Sequence, residues 1–197
     1  MKKIMFNDKY GLTKAVLEGR KTQTRRIVHI DPAIRIDGWK TMHDGSVACA
    51  QLFENMWIID VNYKASYKVG EEVAIAQSYF DTEVLHDGGF SNIGQTSRLL
   101  AQPGAKNKMF VKAELMPHRI KITKIRVERL QNISVEECLK EGIICKNGRY
   151  RVETNKGVVF YTTDARQAFA YLIDKVSGKG TWDSNPYVFV YDFELVK

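Results

Sequence analysis

Apolar and polar positions alternate along this chain with two periods, and the switch between them marks its elements. Lys3 to Phe6 reads as a first short strand, and Leu12, Ala15 and Val16 then fall at helical spacing, predicting a helix over 8–18 with Asn7 or Asp8 able to cap it and Gly19 just past its end. Ile27, Val28 and Ile30 carry a strand pattern, while Asp31-Pro32, Asp37-Gly38 and Asp44-Gly45 mark turns before a predicted hairpin of Ser46–Phe53 and Met56–Val61. After the Val69-Gly70 turn a mostly apolar strand runs to Ala76. From Asp81 to Asn107 no period emerges, which predicts a long loop able to act as a lid.

The second half is more regular. Arg119 to Arg129 alternates with a change of phase at Lys124, as a half-buried antiparallel strand with a bulge there would. Ser134-Val135-Glu136-Glu137 has the spacing of a capping box, so a helix runs from Val135 to about Glu141 with Gly142 as its left-handed end. Asn147-Gly148 predicts a hairpin turn, Val158 to Tyr161 a further strand, and Asp164 with Gln167 the start of a helix continuing to Gly178, its apolar face packed inward. Trp182 and the run Tyr187 to Val196 predict a long, largely buried closing strand.

These elements predict an α+β chain, and 197 residues with no repeat or linker predict one domain over 1–197 carrying insertions near 29–68 and 81–107. Hydrophobic residues at 44% and aromatics at 11% are ordinary globular values, and no apolar run approaches the roughly 18–20 residues that span a bilayer. The start Met1 to Phe6 is too short in apolar residues for a signal-peptide core, which predicts a cytoplasmic protein without membrane contact. Cys49, Cys138 and Cys145 form neither a disulfide framework nor a zinc pattern, and Cys138 and Cys145 are expected as small buried side chains. His29, His43, His86 and His118 share no ligand spacing, and no glycine loop for a nucleotide cofactor occurs, so no metal and no cofactor are expected.

A net charge of +7 favours an anionic partner, and 30 basic residues interspersed with 23 acidic ones point to local binding rather than a general coating. The densest chemistry is Gly19-Arg20-Lys21-Thr22-Gln23-Thr24-Arg25-Arg26, where four of eight positions are cationic. Lys21 and Thr24, three apart, share a site only if the chain turns between them, and the glycine permits that turn. Arginine forks at Arg20, Arg25 and Arg26 beside a compact lysine suit an anionic or nucleotide-like ligand; a solvated basic surface explains the same charges.

Gly19-Arg20-Lys21-Thr22-x-Thr24-x-Arg26 resembles the signature of the ASCH domain family, a PUA-like β-barrel group associated with RNA and nucleoside chemistry. Arg126 to Ser134 continuing through Glu141-Gly142-Ile143 resembles its second block, and Trp182 to Phe193 its closing strand; the three cover about a third of the chain. The resemblance implies a PUA-like mixed β-barrel with about three short helices and β-rich insertions. It implies RNA, nucleoside or nucleotide as partner, with Arg20, Arg25, Arg26, Gln77 and Arg126 as binding residues. Longer relatives resembling this chain are bacterial or phage-related. The smallest members, amidohydrolases of N4-acetylcytidine, use a lysine, a threonine and a glutamate, which fall here on Lys21, Thr24 and Glu141. Where the family carries an aromatic and an Arg-Glu pair this chain has Ile75, Ala76 and Gln77. Two functions follow from the resemblance: a noncatalytic RNA- or nucleotide-binding module, or, as the alternative, a small amidohydrolase.

Overall fold

A computed structural model describes residues 1–31, 33–82 and 98–196. The centre is β11 (Tyr187–Val196), whose Val188, Val190 and Tyr191 are fully buried. It pairs antiparallel with β7 (Arg119–Arg129) on one side and β2 (Gln23–Ile27) on the other. The β7 partnership continues to β6 (Glu72–Ile75), and β6 runs parallel to β1 (Lys2–Ile4), giving a mixed five-stranded sheet in the order β1-β6-β7-β11-β2. A strand covered on both faces and both edges has no reason to alternate, which is why Tyr187 to Phe193 reads as a nearly continuous apolar run. The phase change in β7 is a one-residue bulge: Asp192 faces Lys124 and Phe193 faces Ile122, leaving Thr123 unpaired.

Two three-stranded antiparallel sheets flank this one. β3 (Gly38–Thr41), β4 (Val47–Phe53) and β5 (Met56–Lys64) form the β-rich insertion, whose Trp39 packs edge-on against Tyr187 and Phe189 at 5.8 and 5.4 Å between ring centroids. β8 (Ile144–Lys146), β9 (Arg149–Thr154) and β10 (Gly157–Thr162) form the other, turning at Asn147 and Gly148 with φ of 52° and 70°. Helices whose full span lies among the described residues are α1 (Leu12–Leu17), α2 (Val135–Lys140), α3 (Ala165–Ser177) and α4 (Thr181–Ser184).

The architecture is mixed α+β, with several corrections to the expectations above. Among the described residues the sheets do not close into a barrel. β1 and β2 are opposite edges without a shared ladder, because β1 is three residues long and its chain bends into a 3₁₀ turn at Asp8–Tyr10. Across the gap the Arg26 guanidinium donates through Nη2 to the Met5 carbonyl at 2.7 Å. The first helix starts four residues late, after Gly11 at φ 62°, and neither Asn7 nor Asp8 caps it. Trp182 lies in α4, not in the closing strand, since left-handed Asn185 and then Pro186 break the chain before Tyr187. Cys145 is exposed while Cys138 is buried, because β8 is an edge strand and turns Cys145 outward. Of the expected 81–107 loop and lid, residues 83–97 lie outside the described residues.

Gly142 sits at φ +105°, and a Cβ there would lie 3.0 Å from Leu12 Cδ2 and 3.7 Å from Lys21 Cδ. Gly142→Ala is therefore expected to lower stability by about 1–2 kcal/mol, and by more than Gly148→Ala, whose added Cβ meets nothing within 4 Å. Urea unfolding of both variants checks the order.

Candidate functional site

Two glycine turns deliver the site. At the end of α1 the amides of Glu18 and Gly19 bond back to Lys14 and Val16, Gly19 takes φ 72°, and the Lys21 amide returns to the Ala15 carbonyl at 2.9 Å. This folds Lys21 inward before β2 begins. On the other side the Ser134–Glu137 capping box starts α2, and Glu141 is its C-terminal cap with Gly142 turning the chain away. The Thr22 amide donates to the Lys140 carbonyl at 3.0 Å and clamps the two turns together.

Between them lies a buried ion pair, Lys21 Nζ to Glu141 Oε2 at 2.6 Å, with side chains 2% and 6% exposed. The Lys21 ammonium also donates to the Gln23 carbonyl at 2.7 Å and the Glu141 carbonyl at 2.8 Å, so all three of its N–H bonds are used. The other oxygen, Oε1, accepts from Arg25 Nη1 at 3.0 Å. Arg25 is itself held by Gln23 Oε1 at 2.6 Å, Glu128 at 2.7 Å and Glu137 at 3.0 Å. Behind it Arg126 reaches Glu128 at 3.2 Å, Asp192 at 2.9 Å and Glu137. Three cations thus meet four carboxylates in one connected cluster, while Arg25 Nε is buried without a partner.

Burial lowers the Lys21 pKa from its ordinary value, opposed by Glu141 and assisted by the charges of Arg26 and Arg25. Burial alone would raise the Glu137 carboxyl, but the Ser134 N–H and the guanidinium groups of Arg25 and Arg126 hold it below the ordinary range. Cys138, wedged beside the cluster, is pushed up to about 12 by burial and stays a thiol.

Lys21, Thr24, Arg25, Arg26 and Glu141 all line one open-mouthed cavity of about 450 Å³. It is also lined by carbon, from Phe6, Leu12 and the α3 residues Phe169, Leu172, Ile173 and Val176. Phe6 lies 5.9 Å from Lys21 Nζ, and Phe169 5.8 Å from the Arg25 guanidinium carbon. Thr24 is 5% exposed, and its hydroxyl makes no hydrogen bond among the described residues.

Three expected binding residues are elsewhere. Arg20 stays on the surface, bonded to Glu18 at 2.8 Å. Gln77 is buried in a second apolar cluster, its amide nitrogen 3.5 Å from the Asp81 carbonyl. Arg126 supports Arg25 from behind without reaching the cavity. Residues the sequence reading did not single out are Lys9 and Lys108 at the mouth, the α3 wall, and Gln23, Glu128, Glu137 and Asp192 around Arg25. The 165–178 periodicity signalled an apolar face but could not say that part of it faces a cavity. Among the described residues no group of three or more His, Cys, Asp or Glu side chains is arranged to hold a metal, and no helix is long and apolar enough to cross a membrane.

Compared with protein-family models, with curated proteins and with solved structures, the chain matches none.

Removing the charge of Glu141 strands the buried Lys21 ammonium and takes one of three carboxylates from Arg25, so Glu141→Gln is expected to cost about 3–5 kcal/mol in denaturant unfolding. Lys21→Met, which leaves Glu141 paired with Arg25, should cost less. Glu137 sets a pH dependence. Its folded pKa lies below the ordinary 4.5, so the unfolded chain binds more protons and the contribution, present above that value, is lost as the pH falls further. Melting temperature should drop on acidification below about pH 4.5, with a shallower slope in Glu137→Gln.

Proposed function

We propose that the protein binds a nucleoside or nucleotide unit, free or within RNA, in the cavity beside Lys21 and Arg26. The observation that carries this reading is the cavity's mixed lining, with aromatic and aliphatic side chains beside hydrogen-bonding and cationic ones. A base is flat and apolar on its faces and polar at its edges, so it suits such a slot, and a volume of about 450 Å³ is of the size that small-ligand sites take. The ASCH-like Gly19–Arg26 block supports the same ligand class, and a PUA-like fold remains part of this proposal.

A second reading, hydrolysis of an N4-acylated cytidine, is favoured by Thr24 with its free hydroxyl lining the same cavity as the 2.6 Å Lys21–Glu141 pair. In it a Lys21 amine freed of one proton takes the Thr24 hydroxyl proton as the threonine oxygen bonds to the acyl carbon, the Lys21–Glu141 pair passes that proton to the leaving amine as the carbon–nitrogen bond breaks, and water then adds to the acyl-threonine, releasing the carboxylic acid and restoring the hydroxyl. Binding stands first because Lys21 at rest has every N–H engaged and no lone pair to accept the threonine proton.

Titration calorimetry with cytidine and N4-acetylcytidine tests the binding. Wild-type protein should bind both, and Val176→Trp, which fills the partly exposed apolar rim, should weaken both by about tenfold, as loss of stacking space does. No detectable binding of either overturns the proposal. For the second reading, deacetylation of N4-acetylcytidine should vanish in Thr24→Val; turnover that persists there excludes it.

A further inference from the structure

The charges around the cavity are not distributed evenly. Deep in it Lys21 and Arg25 are neutralised by Glu141, with Glu128 and Glu137 behind. At the mouth Lys108 is paired with Asp8 at 2.6 Å and donates to the Phe6 carbonyl. Two lining cations, Arg26 and Lys9, form no ion pair among the described residues. Arg26 is half-buried and oriented by the Met5 carbonyl at 2.7 Å, which occupies Nη2 and leaves Nε–H and Nη1 unengaged among the described residues. Lys9 is exposed, its ammonium resting 5.6 Å from the Tyr10 ring centroid. A guanidinium fixed by one backbone bond, with two donor groups spare and an exposed lysine lining the same cavity, suits a tetrahedral anion.

We infer that Arg26 and Lys9 form a phosphate subsite at the mouth of the cavity, so that the ligand carries a phosphate ester on its sugar. This rests on the nucleoside-binding reading and narrows it, since a neutral nucleoside leaves both cations unanswered. The base lies inward against the α3 wall, and the phosphate stays at the wet rim. A monoester on a free nucleotide and a diester within RNA offer the same oxygens to these donors, with more charge on the monoester. Because the subsite is open to solvent, its contribution is screened by salt.

Calorimetry compares cytidine, cytidine 5′-monophosphate and the dinucleoside phosphate cytidylyl-cytidine at low and high salt. At low salt the monophosphate, the dinucleoside phosphate or both bind about tenfold tighter than cytidine, as charge-assisted hydrogen bonds at a wet site allow; which one gains identifies a free nucleotide or RNA as the source. The advantage shrinks with added salt, falls in both Lys9→Gln and Arg26→Gln, and drops to within about twofold in the double variant. Lys9→Gln alters an exposed side chain and carries the test should Arg26→Gln fail to fold. Equal affinity of cytidine and both phosphorylated ligands overturns the phosphate subsite while leaving nucleoside binding intact. A phosphate preference unchanged in the variants also overturns it. If none of the three binds, the underlying reading falls and the subsite with it.

Discussion

A single buried carboxylate, Glu141, holds two cations that approach it from a segment 116 to 120 residues away in the chain. Lys21 has no other carboxylate to pair with, whereas Arg25 also has Glu128 and Glu137, and the requirement that Lys21 meet Glu141 propagates outward. Gly19 must turn left-handed to face Lys21 inward, Gly142 must turn left-handed to clear Leu12, and Thr22 must meet Lys140 so that the two turns stay in register. The capping box is drawn in as well, because the Glu137 carboxylate that closes it also accepts from Arg25. Local helix signals and the long-range ion cluster therefore share atoms.

Stability alone does not account for this choice of residues. Burying charge costs desolvation that mutual attraction only offsets, and well-packed apolar side chains of similar volume commonly do as well or better. What the cluster supplies is geometry: the direction of each donor is set by at least one fixed acceptor, and the charge is confined to the floor of the cavity. The surplus of positive charge over the whole chain is then felt where the buried carboxylates do not reach, at the half-buried Arg26 and the exposed Lys9. A net charge of +7 is a weak statement about the molecule; two cations lining one cavity without an ion pair among the described residues is a stronger one.

How much of this was legible in the sequence depends on range. Ser134–Glu137, Asn147-Gly148 and the phase slip beside Lys124 are local chemistry, and each takes the predicted form. Glu141 was reached through the resemblance; as an acid at the negative end of a helix dipole it needs a compensating cation, and it has two. Barrel closure was not, because it depends on how far β1 extends before Asp8, and alternation cannot measure that. The partners of Arg126 and Glu128 on β7 were not legible, since the side chain of a strand residue is assigned to a face by pattern but to a partner only by tertiary contact. Gln77 was misplaced for the same reason, its strand end being covered by Met116.

The state of Lys21 decides how far the cavity's chemistry can go. Its ammonium has three acceptors and needs no fourth, so each of its N–H bonds is engaged. Transfer of a proton along the 2.6 Å contact to Glu141 would neutralise both groups and relieve their burial. Arg25 opposes that transfer, because its Nη1 bond to Glu141 is strongest when the carboxylate is charged. Even after transfer the amine's lone pair points at the new carboxyl proton, not at Thr24. An acyl ligand must therefore draw Lys21 away from the Gln23 or Glu141 carbonyl before the threonine can be activated, whereas a ligand that is merely bound can leave the cluster untouched. Recognition in this cavity needs only atoms already free, Thr24 Oγ1 and the mouth cations; reaction needs one of the bonds that hold the floor together to break.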